Sequence, residues 1–599
     1  MADERSRGSG VVTSGPDEGV RIPGSSLPAL LVARSTATPG RVAWRQLTHG
    51  VWTETVWAQL EARAAAYASG FAASGIAPGS RVAMIVGPGL EAAAAATGLL
   101  GLGAIVVSLH PGRHGADLGA PLAGVRIAIA EDVEQLASVL ALRETVRDLG
   151  EVFVVDARGV GGSGGSPPLA DVAARADDAE RGVNAWRESV RALAPDAAAL
   201  VALTVGGSGA SRPVVLTHSN LVAATRALAE AVPVRPDDEI LSYLPPSHVL
   251  ERVLSTGVAP LVGAVVNVGD GPDEVLSDLR QVRPTVLLGV PGLWDRVVDR
   301  LDERRSNAGW LKRTVLDRGL RRGHRRLDAW RGGTRPGLLA GRLSTRPARA
   351  RLGLDRTRAA LSALAPLADE TADALGALGL VVRQCYGTAE ASGLLTMEPV
   401  DAVRPGSVGR PVSGTDVRED ERGELLARGP QIAPAQQDDE GWLHTGDRAR
   451  IDDESLVRLE GRVEDVIVTA TGAHVDAAAV ATALGKARLV RRVVVTGDGR
   501  SSVGALLELD PVALRSWAVE RSAPFSGTRD LLAWPELRRE LERNIADAND
   551  VVPPDSQVHR FRVLPGPLVP DAELTGTRRL RRAAAIRANA DLVDEMYRA

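Results

Sequence analysis

Residues Leu203–His218 read LTVGGSGASRPVVLTH. An apolar run of strand length, ALVALT at Ala199–Thr204, enters Gly206, Gly207, Ser208, Gly209, Ala210 and Ser211 without a break. Small residues let backbone N–H groups approach an anion closely. Thr204, Ser208 and Ser211 add hydroxyls, and Arg212 adds positive charge. Val214–Leu216 then starts a second extended piece, and THSN at 217–220 supplies the cap of a helix predicted over LVAATRALAEAV. The loop is not a Walker motif, which closes on Gly-Lys-Ser/Thr. A phosphate-holding loop and a flexible Gly/Ser hairpin both fit the segment taken alone.

Composition bounds the rest. The chain has 599 residues, 44% of them hydrophobic, and a net charge of −4. That length allows several domains, and the near-neutral balance argues against nucleic acid as a partner. A single cysteine, Cys385, excludes an internal disulfide and a multi-cysteine metal site. Only Lys312 and Lys486 are lysines, within a Lys+Arg total of 71. The first residues are polar and Gly/Ser-rich without an apolar core, so residues 1–26 are expected to be a disordered tail and no secretion signal. Ala92–Leu109 is uncharged and reaches the minimum length of a membrane span. Its glycines at 98, 101 and 103 and its β-branched end before His110-Pro111-Gly112 predict helix, turn and buried strand instead.

Helical and strand patterns alternate along the chain. Trp57, Leu60, Ala64, Tyr67 and Phe71 share a helix face, with Gly75 in the C-cap region. Strands are predicted at Ser80–Val86, Val125–Ala130, Val152–Asp156, Gly263–Val268 and Pro284–Val290. The fold class is α/β with largely parallel sheet, in a large N-terminal region of layered subdomains over 27–460. Gly159–Pro168 reads as a surface linker. The arginine-rich span Asn307–Arg349 suits solvated helices better than a membrane-surface patch, because aspartates and apolar residues dilute its charge. From Gly461 to the C-terminus the pattern changes to a small, mobile α+β domain, 461–599.

Several stretches, in order, carry a resemblance to a family. LSYLPPSHVLER (Leu241–Arg252), VRPTVLLGVPGLWDRV (Val282–Val297), ARARLGLDRTRAALSALAPL (Ala348–Leu367), YGTAEASG (Tyr386–Gly393), GWLHTGD ending at Asp447, GRVED holding Arg462, and ELTGTRRLRR (Glu573–Arg582) resemble blocks of the AMP-forming adenylating enzymes, the acyl-CoA synthetase and luciferase superfamily. The long-chain fatty acyl-CoA synthetases are the most similar branch. The resemblance spans Leu27 to the C-terminus and implies a function: ATP-dependent conversion of a long-chain fatty acid to an acyl-adenylate and then to acyl-CoA. Its partners would be the fatty acid, ATP with Mg²⁺, and coenzyme A, in a cytoplasmic protein with at most peripheral contact with the inner membrane surface.

The resemblance also assigns roles. Thr204, Gly206, Gly207, Ser208, Gly209 and Arg212 form the phosphate loop. Asp447 accepts from the ribose hydroxyls, and Arg462 contacts the ribose from the hinge side. Tyr386 stacks on adenine, beside Gly387 and Ala389, with Ala363, Ala365 and Pro366 as the opposite wall. Glu390 holds Mg²⁺. His248 stands at the junction of acyl tunnel and nucleotide, Glu464 is the hinge, and Arg579 stands at the catalytic lysine position. Cys385 is a small buried neighbour of Tyr386 and not a nucleophile.

This sequence also departs from the family pattern. Gly207 replaces a threonine, and Ser211-Arg212-Pro213 stands where Pro-Lys-Gly is usual. Ala363 replaces a glycine, Ala389 replaces a threonine, and Gly429–Trp442 is a shortened loop. Arg579 brings a planar guanidinium where an ammonium is usual. Two readings follow: a long-chain acyl-CoA ligase with a degraded site, or a non-catalytic homologue that binds nucleotide, acyl chain or a partner protein.

Overall fold

The computed structural model describes residues 11–13, 20–48, 50–111, 121–143, 146–158, 166–175, 179–205, 211–331, 338–400, 403–521, 531, 534–569, 573–574 and 580–598. Among them, two large sheets dominate the N-terminal region. One has six strands in the order Glu151–Val154, Val125–Ala130, Arg81–Ile85, Ile105–Leu109, Ala198–Val205 and Ser211–Thr217. All its pairs are parallel except the last, which is antiparallel. The other has nine strands, and the run from Val382–Tyr386 through Ala359–Ser362, Val286–Gly289, Glu239–Leu241 and Val265–Val268 to Val42–Thr48 is parallel throughout. One continuous apolar core joins both sheets through the helices between them.

The local signals explain these elements. Trp57, Leu60, Ala64, Tyr67 and Phe71 are all buried on helix Trp57–Ala73, and Gly75 beyond its end takes φ +80°. Only a glycine adopts that left-handed backbone without strain. Helix Leu90–Gly101 turns into strand Ile105–Leu109, so the span-like segment is a buried helix and strand. Helix His218–Ala231 starts on a capping box between Thr217 and Asn220. The linker 159–165 lies outside the described residues.

The N-terminal segment corrects one expectation. Val12 and Thr13 pair antiparallel with Val417 and Asp416, and Val20 and Ile22 pack on the main core. The span 1–26 is therefore not wholly a free tail: its apolar residues find buried partners that polar composition alone does not reveal.

The strand paired with Val12–Thr13 belongs to a five-stranded antiparallel sheet that ends with Leu443–Ile451 and Val457–Arg462. The chain then makes a 3₁₀ turn at Val463–Asp465 and enters a separate small domain. That domain holds a two-stranded ribbon, Val466–Val468 with His474–Asp476, and a three-stranded sheet, Val490–Thr496, Val503–Leu509 and Val558–Val563. Its own cores contain no residue of the large region. We propose that the domain boundary falls within 460–465. Limited proteolysis should nick first there; a resistant junction with earlier cuts inside 27–460 contradicts the boundary.

Candidate functional site

The blocks singled out in the sequence converge at the carboxyl ends of the parallel strands, where open α/β sheets form their binding crevices. Strand Val382–Tyr386 ends in Tyr386, whose hydroxyl donates to Asp447 Oδ2 at 2.6 Å. Arg462 Nη1 donates to Asp447 Oδ1 at 3.0 Å, from the register position directly opposite on the neighbouring strand. Arg462 Nε also lies 3.6 Å from Glu464 Oε1.

Local sequence fixes the carboxylate. Gly446 takes φ +72°, and a Cβ there would approach the Arg462 guanidinium at 3.3 Å. The Thr445 hydroxyl caps the Asp447 N–H at 3.1 Å. Burial, then the adjacent carboxylate, pushes the Tyr386 hydroxyl well above its ordinary pKa, so it stays a donor.

Neighbouring segments close around this triad. The Cys385 thiol donates to the Ser362 carbonyl at 3.4 Å, and the Leu367 N–H donates to Gln384 Oε1 at 2.9 Å. These bonds bind the turn after strand Ala359–Ser362 to the Tyr386 strand. In that turn Ala365 and Pro366 are exposed, whereas Ala363 is packed in the main core at 3% exposure. Ala363 therefore offers no open face on which a base could rest. Leu364 was missed in the sequence: it takes φ +74°, unusual for a leucine, and is 44% exposed. No sequence signal marks a non-glycine residue in that conformation, which costs on the order of 1–3 kcal/mol.

Gly387, Ala389 and Glu390 follow Tyr386 and are half-buried. The 3₁₀ turn Ala389–Ala391 packs against both strands of the hairpin Ala198–Val205/Ser211–Thr217. In that hairpin Thr204 pairs with Arg212, which is exposed. Gly206, Gly207, Ser208 and Gly209 at its tip lie outside the described residues, as does Arg579.

A second cluster bridges the two sheets. His110, just past strand Ile105–Leu109, meets His248 edge-on with ring centroids 5.5 Å apart. Burial, reinforced by His110, lowers the His248 pKa to about 4, so its imidazole is neutral at neutral pH. His248 precedes helix Val249–Arg252, and Gly393 lies so close that its Cβ would meet the Leu250 nitrogen at 2.8 Å. Arg252, 2% exposed, donates to the Pro246 carbonyl and the Ser108 hydroxyl, each at 3.2 Å. Glu251, 1% exposed, accepts from the Ser242 hydroxyl at 2.6 Å, and its other oxygen has no partner. The block LSYLPPSHVLER drew attention to His248 alone; two adjacent charged residues inside an apolar run were the missed signal. Cys385 is buried and its thiol is pushed up to about 12, the mark of an inert side chain.

The donor set fits a magnesium ion that travels with phosphate. No cluster of three His, Cys, Asp or Glu side chains able to hold a metal occurs among the described residues. Glu390 is a single carboxylate beside the hairpin, and one carboxylate with substrate oxygens is the coordination Mg²⁺ favours.

Fold and site together define a two-domain α/β protein with a carboxylate-centred crevice at its strand ends. Residues 31–435 match the AMP-binding enzyme family and 464–599 match the AMP-binding enzyme C-terminal domain, so the chain belongs to the AMP-binding enzyme family. It is 28% identical to the long-chain-fatty-acid–CoA ligase FadD15 of Mycobacterium tuberculosis, over 95% of this chain and 96% of that protein. In fold it is similar to ATP-bound MatB from Rhodopseudomonas palustris, with a TM-score of 0.67, 19% identity and coverage of 95% and 99%. The adenylation domain of a carboxylate reductase from Mycobacterium chelonae gives 0.68, 19%, 96% and 92%.

Glu251 makes a testable prediction. Burial raises its pKa to about 7 from an ordinary 4.5, so the folded chain holds a proton that the unfolded chain releases between those values. The protonated carboxyl's contribution is complete below pH 4.5 and is lost as pH rises through 7. Glu251→Gln should therefore gain stability relative to the parent between pH 5 and pH 8, by up to about 3 kcal/mol. Thermal melting of both proteins at the two pH values checks this; a constant difference contradicts it.

Proposed function

We propose that the protein is an AMP-forming ligase that activates a long-chain fatty acid as its acyl-adenylate and transfers the acyl group to coenzyme A. The observation that carries this reading is the Tyr386–Asp447–Arg462 triad at the mouth of the strand-end crevice. FadD15 lends support as a relative of matching length whose name states that activity.

In the first step a carboxylate oxygen of the fatty acid attacks the α-phosphorus of ATP. The bond to the bridging oxygen breaks and pyrophosphate leaves. In the second, the coenzyme A thiolate attacks the acyl carbonyl carbon and AMP leaves. No protein nucleophile is required, so the chain's contribution is positioning and charge stabilisation.

Asp447 is suited to the ribose. Two of its lone pairs are taken by Tyr386 and Arg462, which leaves others for the two ribose hydroxyls at no cost in reorientation. The Tyr386 ring and the exposed Ala365–Pro366 edge form the two sides of an adenine slot. Thr204 and Arg212 face the phosphates, where Mg²⁺ held at Glu390 would neutralise charge. Neutral His248 stands between this region and the acyl side. Glu464 is the hinge, because Arg462 before it is tied to the large region and Val466 after it pairs in the small domain. Any membrane contact is peripheral, since no helix among the described residues is long and apolar enough to cross one.

A second reading, a non-catalytic homologue, is favoured by the identities of Gly207, Pro213, Ala389 and Arg579. Each removes a hydroxyl, a backbone donor or a point charge from the phosphate side of the site.

Two measurements test these readings. Asp447→Ala should weaken an acyl-adenylate analogue by about 2–3 kcal/mol in calorimetry, the loss of hydrogen bonds to a charged group. Equal affinity in both proteins removes Asp447 from the site. In ATP–pyrophosphate exchange with a panel of fatty acids, the parent should be slow, and Gly207→Thr/Ala389→Thr/Arg579→Lys should raise the rate. One lost donor to developing charge costs on the order of 10²–10³ in rate. Exchange by the parent at an ordinary synthetase rate makes Arg579 a working catalytic residue, and no exchange by either protein supports the non-catalytic reading.

A further inference from the structure

Charge is distributed very unevenly along this chain. Residues 307–352 hold twelve arginines and one lysine against two aspartates, a net +11 in a chain whose total is −4. Helix Trp310–Arg331 occupies the centre of that span.

One side of this helix is fixed to the body of the protein. Leu316 and Leu320 pack against the main core, and Leu327 is buried. Gly323 approaches so closely that a Cβ would stand 1.9 Å from the Ala377 carbonyl oxygen. These residues repeat at helical spacing and define the inner stripe. Arg318, Arg321, Arg322 and Arg325 lie on the opposite side, exposed, and form no ion pair with any described residue.

A solvated helix accounts for those arginines but not for what accompanies them. Trp310, Leu311 and Val315, at the start of the same helix and away from its inner stripe, are 78%, 60% and 57% exposed. An indole and two aliphatic side chains set among free guanidinium groups have the composition of a helix that lies in a lipid interface. A nucleic acid would use the charges but gains little from Leu311 and Val315, which cannot stack on a base.

Arg280, Arg296, Arg300, Arg304 and Arg351 line a cavity of about 270 Å³. Burial, and then Arg300, Arg280 and Arg351, hold the Arg304 guanidinium below its ordinary pKa. Asp299 and Glu303 line the same cavity, and Glu303 pairs with Arg300 at 2.8 Å, so the unpaired charge is concentrated on the outer face of helix Trp310–Arg331.

We propose that the outer face of helix Trp310–Arg331 docks on an anionic phospholipid surface, with Trp310, Leu311 and Val315 entering the interface and the arginines facing headgroup phosphates. The proposal does not depend on the ligase reading, and its readout is binding alone.

The experiment is sedimentation of the full-length protein with vesicles of phosphatidylcholine and of an equimolar phosphatidylcholine/phosphatidylglycerol mixture. Binding is expected to the mixed vesicles and should weaken as salt is added. Arg318→Gln/Arg321→Gln/Arg322→Gln should lower it on the order of 100-fold, each surface charge being worth roughly fivefold. Trp310→Ser/Leu311→Ser should lower the binding that survives in high salt. Both variants alter exposed side chains and should melt with the parent. Equal binding to the two vesicle types, or parental binding by both variants, overturns the proposal. So does a self-associated form that Trp310→Ser/Leu311→Ser dissociates, or RNA binding that exceeds vesicle binding and survives that variant.

Discussion

The Asp447 carboxylate is the constraint on which the rest of the crevice depends. It receives Tyr386 from the nine-stranded sheet and Arg462 from the last strand of the five-stranded sheet. Two sheets that share no strand are thereby tied through one side chain. Arg462 is also the last residue before the turn into the small domain. Charge-assisted hydrogen bonds of this kind are short and directional, so the triad sets an angle between elements as well as an energy. The turn into the small domain lies just beyond Arg462, at Val463–Asp465, and Glu464 there stays 3.6 Å from the Arg462 guanidinium.

The junction around His248 is governed by burial instead. Arg252 and Glu251 are adjacent and enclosed, yet their side chains engage different partners: Ser108 of the six-stranded sheet and Ser242 after strand Glu239–Leu241. A buried guanidinium and a buried carboxyl without mutual contact each carry a desolvation cost. Burial accordingly raises the Glu251 pKa and lowers that of Arg252 to about 10. The π-helical turn Val253–Val258 follows directly, an irregularity that often marks functional sites. These costs are local to the junction between the two large sheets.

How much of this was legible follows from the reach of each signal. The parallel strands were readable because buried β-branched runs such as Val125–Ala130 need only local pattern. The cap at Thr217 and the false span at Ala92–Leu109 were readable for the same reason. Asp447 and Arg462 could be named from their motifs, but their facing register could not, since it depends on pairing with a shift between Arg448 and Ala449. The pairing of Val12 with Val417 spans the large region and left no trace in a polar segment. Leu364 was invisible because backbone strain arises only in three dimensions, whereas the Glu251–Arg252 pair left a local signal, two charges in an apolar run, whose burial only the packing reveals.

The structure also changes the weight of the departures from the family pattern. Ala363 drops out as an obstacle, since its methyl group is absorbed in the main core. With two lysines in the whole chain, the arginines at 212 and 579 follow a bias that runs through every region. What remains is Gly207 and Ala389, each lacking a hydroxyl, and Pro213, lacking an N–H. Ala389 sits in the 3₁₀ turn that packs on the hairpin bearing Pro213. The Asp447 carboxylate keeps both Tyr386 and Arg462 as partners. Among the described residues the departures at Ala389 and Pro213 thus meet at one contact between a turn and a hairpin, apart from the carboxylate triad.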